Sequence, residues 1–334
     1  MRPALLTALL CWVSCMPLLA GAAERDRDSF AQGDWQVVCD NTRTCRAAGY
    51  QKDDDSKPVS MLILRNAGPG TQPEIELQID AERDVAGPWT LKLGALQIGG
   101  PNAAAMKLDA GQAQRLLPAL LQGEQAEVTA MGGETWRLSL AGITAVLLRM
   151  DDLQGRIGTP GALVRRGTRA EASVPAAVPA PVVRVKALVP TRQADAALGT
   201  KLFPLLDKKP LDSCNESQDV NADSVLVTRL TARRVLLSVQ CAMGAYNGST
   251  VHWIANDRAP YSPSAIEPDG DVDAPSSSIM SYWKGRGIGD CIATQTWHFD
   301  GKDFVETERM DGGLCRGFAG GAWSLPRYVA RVVR

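Results

Sequence analysis

Apolar and polar residues alternate along several short segments of the first half of the chain. In DWQVVCDNTRTCRAAGY, residues 34–50, this alternation places Trp35, Val37 and Cys39 on one face of a strand. The polar residues that follow have the composition of a turn, and Cys45 begins a returning strand on the same face. The pattern predicts an antiparallel hairpin whose cysteines lie opposite each other, close enough for a disulfide.

Further strands and two helices are predicted before residue 168. Alternation bounded by turn residues predicts strands at 59–65, 73–80, 89–93, 126–130 and 135–140. Asp109 followed by Gln112 is a capping-box pattern, and the leucines after it repeat at helical spacing up to Gly123. Apolar residues from 143 to 153 predict a second helix before Gly155.

The middle of the chain changes in composition. Residues 173–190 consist largely of Ala, Val and Pro, and their four prolines disfavour long regular elements. This composition is typical of a semi-rigid linker. The sequence therefore predicts an N-terminal β-rich domain with two helices at 23–168, a linker at 169–190 and a C-terminal β-rich, disulfide-bonded domain at 191–334.

The second half again alternates in short segments. Thr191 is predicted to cap a short helix, and strands are expected at 225–230, 235–241, 251–255, 295–299 and 302–306. Asp300 and Gly301 suit a two-residue hairpin turn, which would place Trp297 opposite Phe304. The predicted fold class is mainly β with a few short helices (α+β), arranged as two antiparallel-sheet domains.

The first 22 residues have the pattern of a secretory signal peptide. Arg2 precedes an apolar run, and small residues end it at 20–22. No later segment is long and apolar enough to cross a bilayer, so no transmembrane segment is expected after cleavage. Removing residues 1–22 takes away one arginine and changes the net charge from −1 to −2. This near-neutral balance argues against nucleic-acid binding.

Six cysteines follow the signal peptide, and an even number in an exported chain indicates disulfides. They are Cys39, Cys45, Cys214, Cys241, Cys291 and Cys315. A zinc site is disfavoured because there is no CxxC pair and no histidine at ligand spacing, so no metal and no cofactor is expected. If the linker isolates the first pair, three pairings remain for the other four; neighbouring segments favour Cys214 with Cys241 and Cys291 with Cys315.

Four motifs in order carry a family resemblance. They are DWQVVCDNTRTCRAAGY, GRIGTPGALVRRG (155–167), CAMGAYN (241–247) and WKGRGIGDC (283–291). With them the chain resembles exported bacterial proteins grouped as domain of unknown function family 1176. Its first half is also distantly similar to the invasion-associated locus B proteins of Gram-negative bacteria. The resemblance implies a location in the Gram-negative envelope and no particular reaction.

The segment 283–291 is the strongest candidate for a binding site. Trp283 offers a stacking face, Lys284 and Arg286 could hold an anionic group, and glycines allow close approach of a ligand. Asp290 and Tyr246 could add polar contacts. A glycine-rich connection anchored by a disulfide at Cys291 would have the same sequence without binding a ligand. A turn would equally explain the residues around Tyr246.

The sequence identifies no catalytic residue. Two carboxylate pairs, Asp151 with Asp152 and Glu306 with Glu308, could serve a glycoside hydrolase, but no pattern places either pair in a cleft. We therefore expect a periplasmic or secreted protein, more binding or structural than catalytic, whose partner is an envelope ligand or protein. The alternative is a hydrolase that acts on envelope polysaccharide or peptide.

Overall fold

The computed structural model describes residues 29–80, 88–99, 105–214 and 220–334. The expected signal peptide, residues 1–22, lies outside these ranges. Strands greatly outnumber helices in the described residues, which confirms the mainly β fold. None of the helices within these ranges is long and apolar enough to cross a membrane.

Ten strands and two α-helices are described in the first half. They are β1 (Ser29–Gln32), β2 (Trp35–Cys39), β3 (Cys45–Tyr50), β4 (Val59–Arg65), β5 (Glu74–Ile79), β6 (Trp89–Leu93), β7 (Leu96–Gly99), β8 (Ala105–Lys107), α1 (Ala110–Leu120), β9 (Gln125–Ala130), β10 (Thr135–Ser139) and α2 (Ile143–Leu153). The strands form two antiparallel sheets, with orders β1-β2-β3-β4-β5-β8 and β10-β9-β6-β7.

Both sheets and both helices of the first half share one hydrophobic core. Trp35 is fully buried there, and its indole nitrogen donates to the carbonyl oxygen of Ser139 at 2.8 Å. Its partner across the hairpin is Gly49, where an added Cβ would lie 2.0 Å from the tryptophan ring. The glycine is therefore needed for the close packing of this ring.

The predicted cap of α1 is confirmed. Asp109 accepts the N–H of Gln112 at 2.8 Å, and the Gln112 side chain accepts the N–H of Asp109 at 3.0 Å. These two bonds satisfy amide groups that a helix start otherwise leaves open. Leu116 and Leu120 then point into the core, and Pro118 is accommodated inside the helix.

The remaining described strands and α-helix follow, the first of them within the segment 169–190. They are β11 (Val182–Arg184), α3 (Ala196–Leu202), β12 (Leu226–Arg229), β13 (Arg234–Met243), β14 (Gly248–Asn256), β15 (Ser264–Ile266), β16 (Asp271–Asp273), β17 (Ser278–Lys284), β18 (Ile292–Phe299), β19 (Phe304–Asp311), β20 (Leu325–Val329) and β21 (Arg331–Val333). The strands form a four-stranded sheet β12-β13-β14-β15, a five-stranded sheet β16-β17-β18-β19-β20 and a parallel pair β11-β21.

The four-stranded sheet of the second half is covered on both faces. One face carries Leu237 and Trp253 and packs against Leu202 of α3. The other face carries Leu236 and packs against Trp297 of the five-stranded sheet. Alternate residues of one strand thus serve two cores, which explains why β13 is apolar at consecutive positions.

The structure corrects the predicted cap of α3. The helix begins at Ala196, after a 3₁₀ turn at Gln193–Asp195, and Thr191 instead accepts the N–H of Arg229. Asp195 accepts the N–H of Arg192 at 2.7 Å and is ion-paired with Arg229. The hydrogen bonds from Arg229 lower the pKa of Asp195 to about 2 despite burial.

The register of the last predicted hairpin is also corrected. The connection between β18 and β19 has four residues, because Asp300 accepts the N–H groups of both Lys302 and Asp303. Phe299 therefore pairs with Phe304, with ring centroids 5.4 Å apart, and Trp297 lies opposite a glutamate. The Asp-Gly sequence is compatible with an Asx-type turn as well as with a two-residue turn. Sequence alone therefore predicted the wrong strand register for this hairpin.

The segment 169–190 touches both halves. Val178 donates its N–H to Thr42 at 3.3 Å, which attaches the segment to the β2–β3 turn. Further on, β11 pairs in parallel with the C-terminal strand β21. The composition suggested an extended spacer. The observed contacts attach this spacer to both halves of the chain. The division into two domains by this segment stays a prediction.

The two halves also meet directly through the outer face of the first sheet. Val38, Tyr50 and Leu62 on that face form a cluster with Phe318 and Leu325 of the second half. Polar contacts surround the cluster. Gln51 donates to the carbonyl oxygen of Arg316 at 2.6 Å, Trp323 donates to Ser60 at 2.6 Å, and Arg316 is ion-paired with Asp34 at 2.9 Å.

Candidate functional site

The predicted binding residues lie on two neighbouring segments of the second half. Tyr246 is at the tip of the β13–β14 hairpin, which is closed by the N–H of Gly244 donating to Asn247 at 2.7 Å. Trp283 and Lys284 end β17, and the loop 285–290 follows them. We call the set Tyr246, Trp283, Lys284, Arg286 and Asp290 the 283–290 site.

Asn247 joins these two segments. Its side-chain oxygen accepts the N–H of Lys284 at 2.7 Å, and its side-chain nitrogen donates to the Lys284 carbonyl at 3.0 Å. The amide thus pairs with the edge of β17 much as a strand would. Tyr246 is next to it, with its ring against Gly287, where an added Cβ would lie 3.2 Å from the ring. The structure therefore brings Tyr246 to the loop.

Arg286 and Asp290 are bonded to each other. The guanidinium contacts both carboxylate oxygens, with Nε at 3.1 Å from Oδ1. The arginine side chain is 50% exposed, whereas Asp290 is buried and also accepts the N–H of Gly317 at 2.6 Å. Burial raises the pKa of Asp290, but the hydrogen bonds from Arg286 and Gly317 outweigh it and leave the pKa below its usual value.

The glycines of the loop pack against other groups. A Cβ added at Gly285 would lie 2.6 Å from the sulfur of Cys291, which is bonded to Cys315. Gly287 lies against the Tyr246 ring. Both glycines therefore allow close approach of parts of this same chain, and the loop is held in place by the disulfide and by the Arg286–Asp290 pair.

Several large apolar side chains in this region are exposed. Trp283 is 60% exposed and Tyr246 is 58% exposed. Met243 at the hairpin tip and Ile288 in the loop are exposed to a similar degree. The ammonium group of Lys284 lies 5.5 Å from the ring centre of Tyr282. Exposed aromatic residues beside hydrogen-bonding and charged groups are typical of binding surfaces.

The three disulfides have the pairings expected from the sequence. Cys39 is bonded to Cys45, Cys214 to Cys241 and Cys291 to Cys315. Several disulfides in one chain are typical of proteins that fold outside the reducing cytoplasm. In the described residues, Asp290 lies close enough to Cys291 and Cys315 to suggest a metal site. The two sulfurs are bonded to each other, so they are not available as thiolate ligands.

The candidate carboxylate pairs of a hydrolase are separated by the fold. Asp151 is fully buried and accepts the N–H groups of Leu163 and Val164 at 2.8 and 2.9 Å, whereas Asp152 is exposed and paired with Arg149. Burial raises the pKa of Asp151. The two neighbouring carboxylates therefore do not face a common space.

The second carboxylate pair is divided as well. A bulge interrupts the pairing of β18 with β19, so Glu306 lies opposite Trp297 and Glu308 lies opposite Thr296. Glu306 lines a pocket of about 310 Å³, but its carboxylate is ion-paired with Arg309 at 2.7 Å. Glu308 is exposed and does not line this pocket.

Both histidines are engaged in hydrogen bonds. His252 is 1% exposed, with Nδ1 at 2.8 Å from the Ser238 hydroxyl and Nε2 at 2.9 Å from the Gly270 carbonyl. A neutral ring that donates from Nε2 and accepts at Nδ1 satisfies both contacts. His298 contacts Thr307 at 2.8 Å. Burial lowers the pKa of both histidines.

A buried charge network in the first half was missed by sequence reasoning. Arg156 is fully buried and donates to the Gln154 side chain at 2.8 Å and to the Gly68 carbonyl at 2.6 Å. Arg65 is ion-paired with Asp151 at 3.5 Å. Burial, together with the charge of Arg156, lowers the pKa of Arg65 to about 10, so it stays charged at neutral pH. The motif GRIGTPGALVRRG contained one signal, an arginine next to a helix end that carries two aspartates.

Comparison with known proteins identifies the family of the chain. The model of a family described as "Protein of unknown function (DUF1176)" matches residues 29–330. The chain is 27% identical over 308 residues to the uncharacterized protein YpfG of Escherichia coli (strain K12), a match that covers 82% of this chain and 85% of that protein.

A solved structure, the invasion associated protein b from Bartonella henselae, is 19% identical, with a TM-score of 0.31, and the match covers 38% of this chain and 98% of that one. The family match confirms the resemblance seen in the four motifs. Because it spans nearly the whole described chain, the protein belongs to the DUF1176 family of proteins of unknown function.

Proposed function

We propose that this chain is a non-catalytic periplasmic or secreted protein that binds an envelope polysaccharide through the 283–290 site. The observation that carries the proposal is the exposure of Trp283 and Tyr246, at 60% and 58%, on segments joined to each other. A sugar ring has an apolar C–H face and a rim of hydroxyl groups. An exposed aromatic ring beside polar groups matches both features.

The loop is also held in a fixed conformation before any ligand binds. The Cys291–Cys315 disulfide, the Arg286–Asp290 ion pair and the bonds from Asn247 restrain it on three sides. A preorganised site loses little conformational entropy on binding. Because Asp290 neutralises Arg286, Lys284 is the cation left to attract a ligand, which fits a neutral or weakly anionic polysaccharide.

The compartment is supported by two independent features of the chain. The first 22 residues have the pattern of a signal peptide, and three disulfides suit an oxidising environment. The envelope hydrolase is the weaker candidate because Asp151 is enclosed and Glu306 is paired with Arg309. A general acid and a nucleophile would have to flank one glycosidic bond.

Sedimentation with isolated cell-wall polysaccharide tests the proposal. We expect the wild-type chain to sediment with the polysaccharide, and the double substitution Trp283→Ala, Tyr246→Ala to weaken binding at least about tenfold, since two stacking faces are lost. Phe30→Ala is the matched control. Phe30 is an exposed aromatic residue of β1 that is not part of the 283–290 site, so this variant should bind normally.

Two results would overturn the proposal. One is a wild-type chain that does not sediment with the polysaccharide, and the other is a double variant that binds as tightly as the Phe30→Ala control. Assay of the same supernatants for new reducing ends or released peptides distinguishes the hydrolase. Fragment release by the wild-type chain would replace binding with catalysis as the function.

A further inference from the structure

The first half contains a groove that the 283–290 site does not use. It lies between α1 and the segment 160–166, and it consists of two adjoining pockets of about 440 and 390 Å³. Leu117, Leu163 and Arg166 line both pockets. Each volume falls in the range of roughly 300–1,000 Å³ that is usual for small-molecule sites. We call these two pockets together the α1 groove.

The larger pocket favours negative charge. Arg65 and Arg166 line it, and neither pocket has an aspartate or glutamate among its described lining residues. The first residues of α1, Ala110 and Gly111, line the same pocket. The carboxylate of Asp109 already caps this helix start, so the attraction for an anion comes from the arginines.

The two arginines have different tasks in this pocket. Arg65 is enclosed, and its nitrogens are used by the carbonyls of Thr71 and Gly161 and by Asp151. Arg166 is exposed, and only its Nε is used, in a bond to the Ala162 carbonyl at 3.0 Å. Within the part of the chain that the structure describes, the two terminal nitrogens of Arg166 make no hydrogen bond. Arg166 can therefore contact an anion directly.

The smaller pocket is lined mainly by apolar residues. Six of its eight lining residues are aliphatic or proline: Leu117, Pro118, Leu121, Leu147, Leu163 and Val164. The other two are Gln122 and Arg166. Arg166 thus lies between a pocket that favours an anion and a pocket that favours a hydrocarbon chain. From Ala110 to Leu121 the helix rises by about 16 Å, which gives the groove the length for an extended ligand.

The buried charge network makes one wall of this groove rigid. Asp151 accepts the N–H groups of Leu163 and Val164, and Glu171 accepts the N–H of Gly161 at 3.0 Å. These bonds fix the segment that lines both pockets, although it has no regular secondary structure. Burying charged groups in a loop has a high desolvation cost. Here the buried charges also hold one wall of the groove in a fixed conformation, which reduces the entropy lost on binding.

We propose that the α1 groove binds an amphiphilic anion, with its carboxylate or phosphate head at Arg166 and its alkyl chain in the apolar pocket. This site is separate from the 283–290 site, so the proposal does not depend on polysaccharide binding. A free fatty acid and a lysophospholipid share this chemistry. The complementarity of one cationic and one apolar pocket along a single helix favours such a ligand over a simple inorganic anion.

Isothermal titration calorimetry of the full, delipidated chain tests the proposal with laurate, dodecyl phosphate, dodecanol and acetate, all below micelle-forming concentrations. We expect laurate and dodecyl phosphate to bind at least about tenfold more tightly than dodecanol, which lacks the charge, and than acetate, which lacks the chain. The substitution Arg166→Ala should weaken laurate binding at least about tenfold and leave dodecanol binding unchanged.

Arg115→Ala is the matched control, because Arg115 is exposed on α1 and lines neither pocket. Equal binding of laurate and dodecanol would overturn the proposal, and so would laurate binding that Arg166→Ala leaves intact or an absence of binding to the wild-type chain. Mass spectrometry of the chain purified without delipidation distinguishes the two sources. A bound fatty acid and a bound lysophospholipid would each support the shared chemistry and identify the head group.

Discussion

Two glycine-rich segments, Gly155–Gly158 and Gly285–Gly289, have similar sequences around an arginine. The arginine is buried in the first segment and exposed in the second. Arg156 is fully buried, whereas the Arg286 side chain is 50% exposed. In the first segment the space beneath the loop is lined by carbonyl oxygens and by Glu171, which solvate the guanidinium. In the second segment the disulfide and the Tyr246 ring fill that space.

A glycine-rich sequence around an arginine therefore does not determine whether the arginine is buried as part of the fold or exposed for binding. The carboxylate partners show the reverse arrangement. The partner of the buried Arg156, Glu171, is partly exposed, whereas the partner of the exposed Arg286, Asp290, is buried. The first segment is held by charges inside the fold, and the second is held by a covalent bond with a charge at its surface.

The largest expected effect comes from breaking the buried pair. Asp151→Ala leaves Arg65 without its counter-charge and leaves the N–H groups of Leu163 and Val164 without an acceptor. We expect a loss of about 3–5 kcal/mol in the free energy of unfolding, because an uncompensated buried charge is strongly destabilising. Urea denaturation followed by circular dichroism measures this loss.

The adjacent residue provides the control for this substitution. Asp152 is exposed and paired with Arg149 on the surface of α2. Asp152→Ala should cost less than about 1 kcal/mol, as exposed ion pairs do. Similar losses for the two variants would contradict the view that the first segment depends on buried charge.

The contrast also explains what the sequence could reveal. Cysteine spacing identified the disulfide that anchors the second segment, and alternation identified the strands on which the core is built. Alternation works because one face of a strand is buried and the other is not. The buried network was missed because Arg65, Asp151 and Glu171 come from segments up to 106 residues apart, and only the tertiary fold brings them together.

Several strands were missed for a related reason. β17 reads Ser-Ile-Met-Ser-Tyr-Trp-Lys, with three exposed large residues, and it resembles a loop until its pairing with β18 is known. The short strands β15 and β16 are held by neighbouring strands rather than by their own composition. Of the candidate site, sequence reasoning identified the residue types, whereas the Arg286–Asp290 pair and the covering of the glycines required the structure.

Removing the covalent restraint of the second segment is expected to have the next largest effect. Cys291 and Cys315 are 24 positions apart. The double substitution Cys291→Ser, Cys315→Ser should cost about 3.5 kcal/mol by the loop-entropy relation. The double substitution Cys39→Ser, Cys45→Ser, which opens a ring with a separation of 6, should cost only about 2 kcal/mol. Thermal unfolding measures the loss of stability in the two double variants. An equal loss would contradict the expectation that a larger disulfide ring contributes more to stability.

The Arg286–Asp290 pair should respond unequally to loss of its two members. Asp290→Ala leaves the N–H of Gly317 without its acceptor and should cost about 1–3 kcal/mol. Arg286→Ala leaves the buried carboxylate of Asp290 without its counter-charge and should cost more, because an unpaired buried charge is more destabilising than an unpaired buried amide. Denaturation midpoints of both variants test this order. A larger loss for Asp290→Ala would mean that the bond to Gly317 contributes more to stability than the ion pair.

Mild acid should distinguish the two halves with the smallest effect. Both histidines are in the second half, and burial lowers the pKa of His252 and of His298. The unfolded chain, with histidine pKa values of about 6.5, then binds protons that the folded chain excludes, so stability is full above about pH 6.5 and falls as the pH decreases below it.

Thermal unfolding at pH 7 and pH 5 measures this loss. The double substitution His252→Gln, His298→Gln should reduce it, since the added protons no longer have these acceptors. An unchanged loss in that variant would assign the acid sensitivity to carboxylates and remove this distinction between the halves.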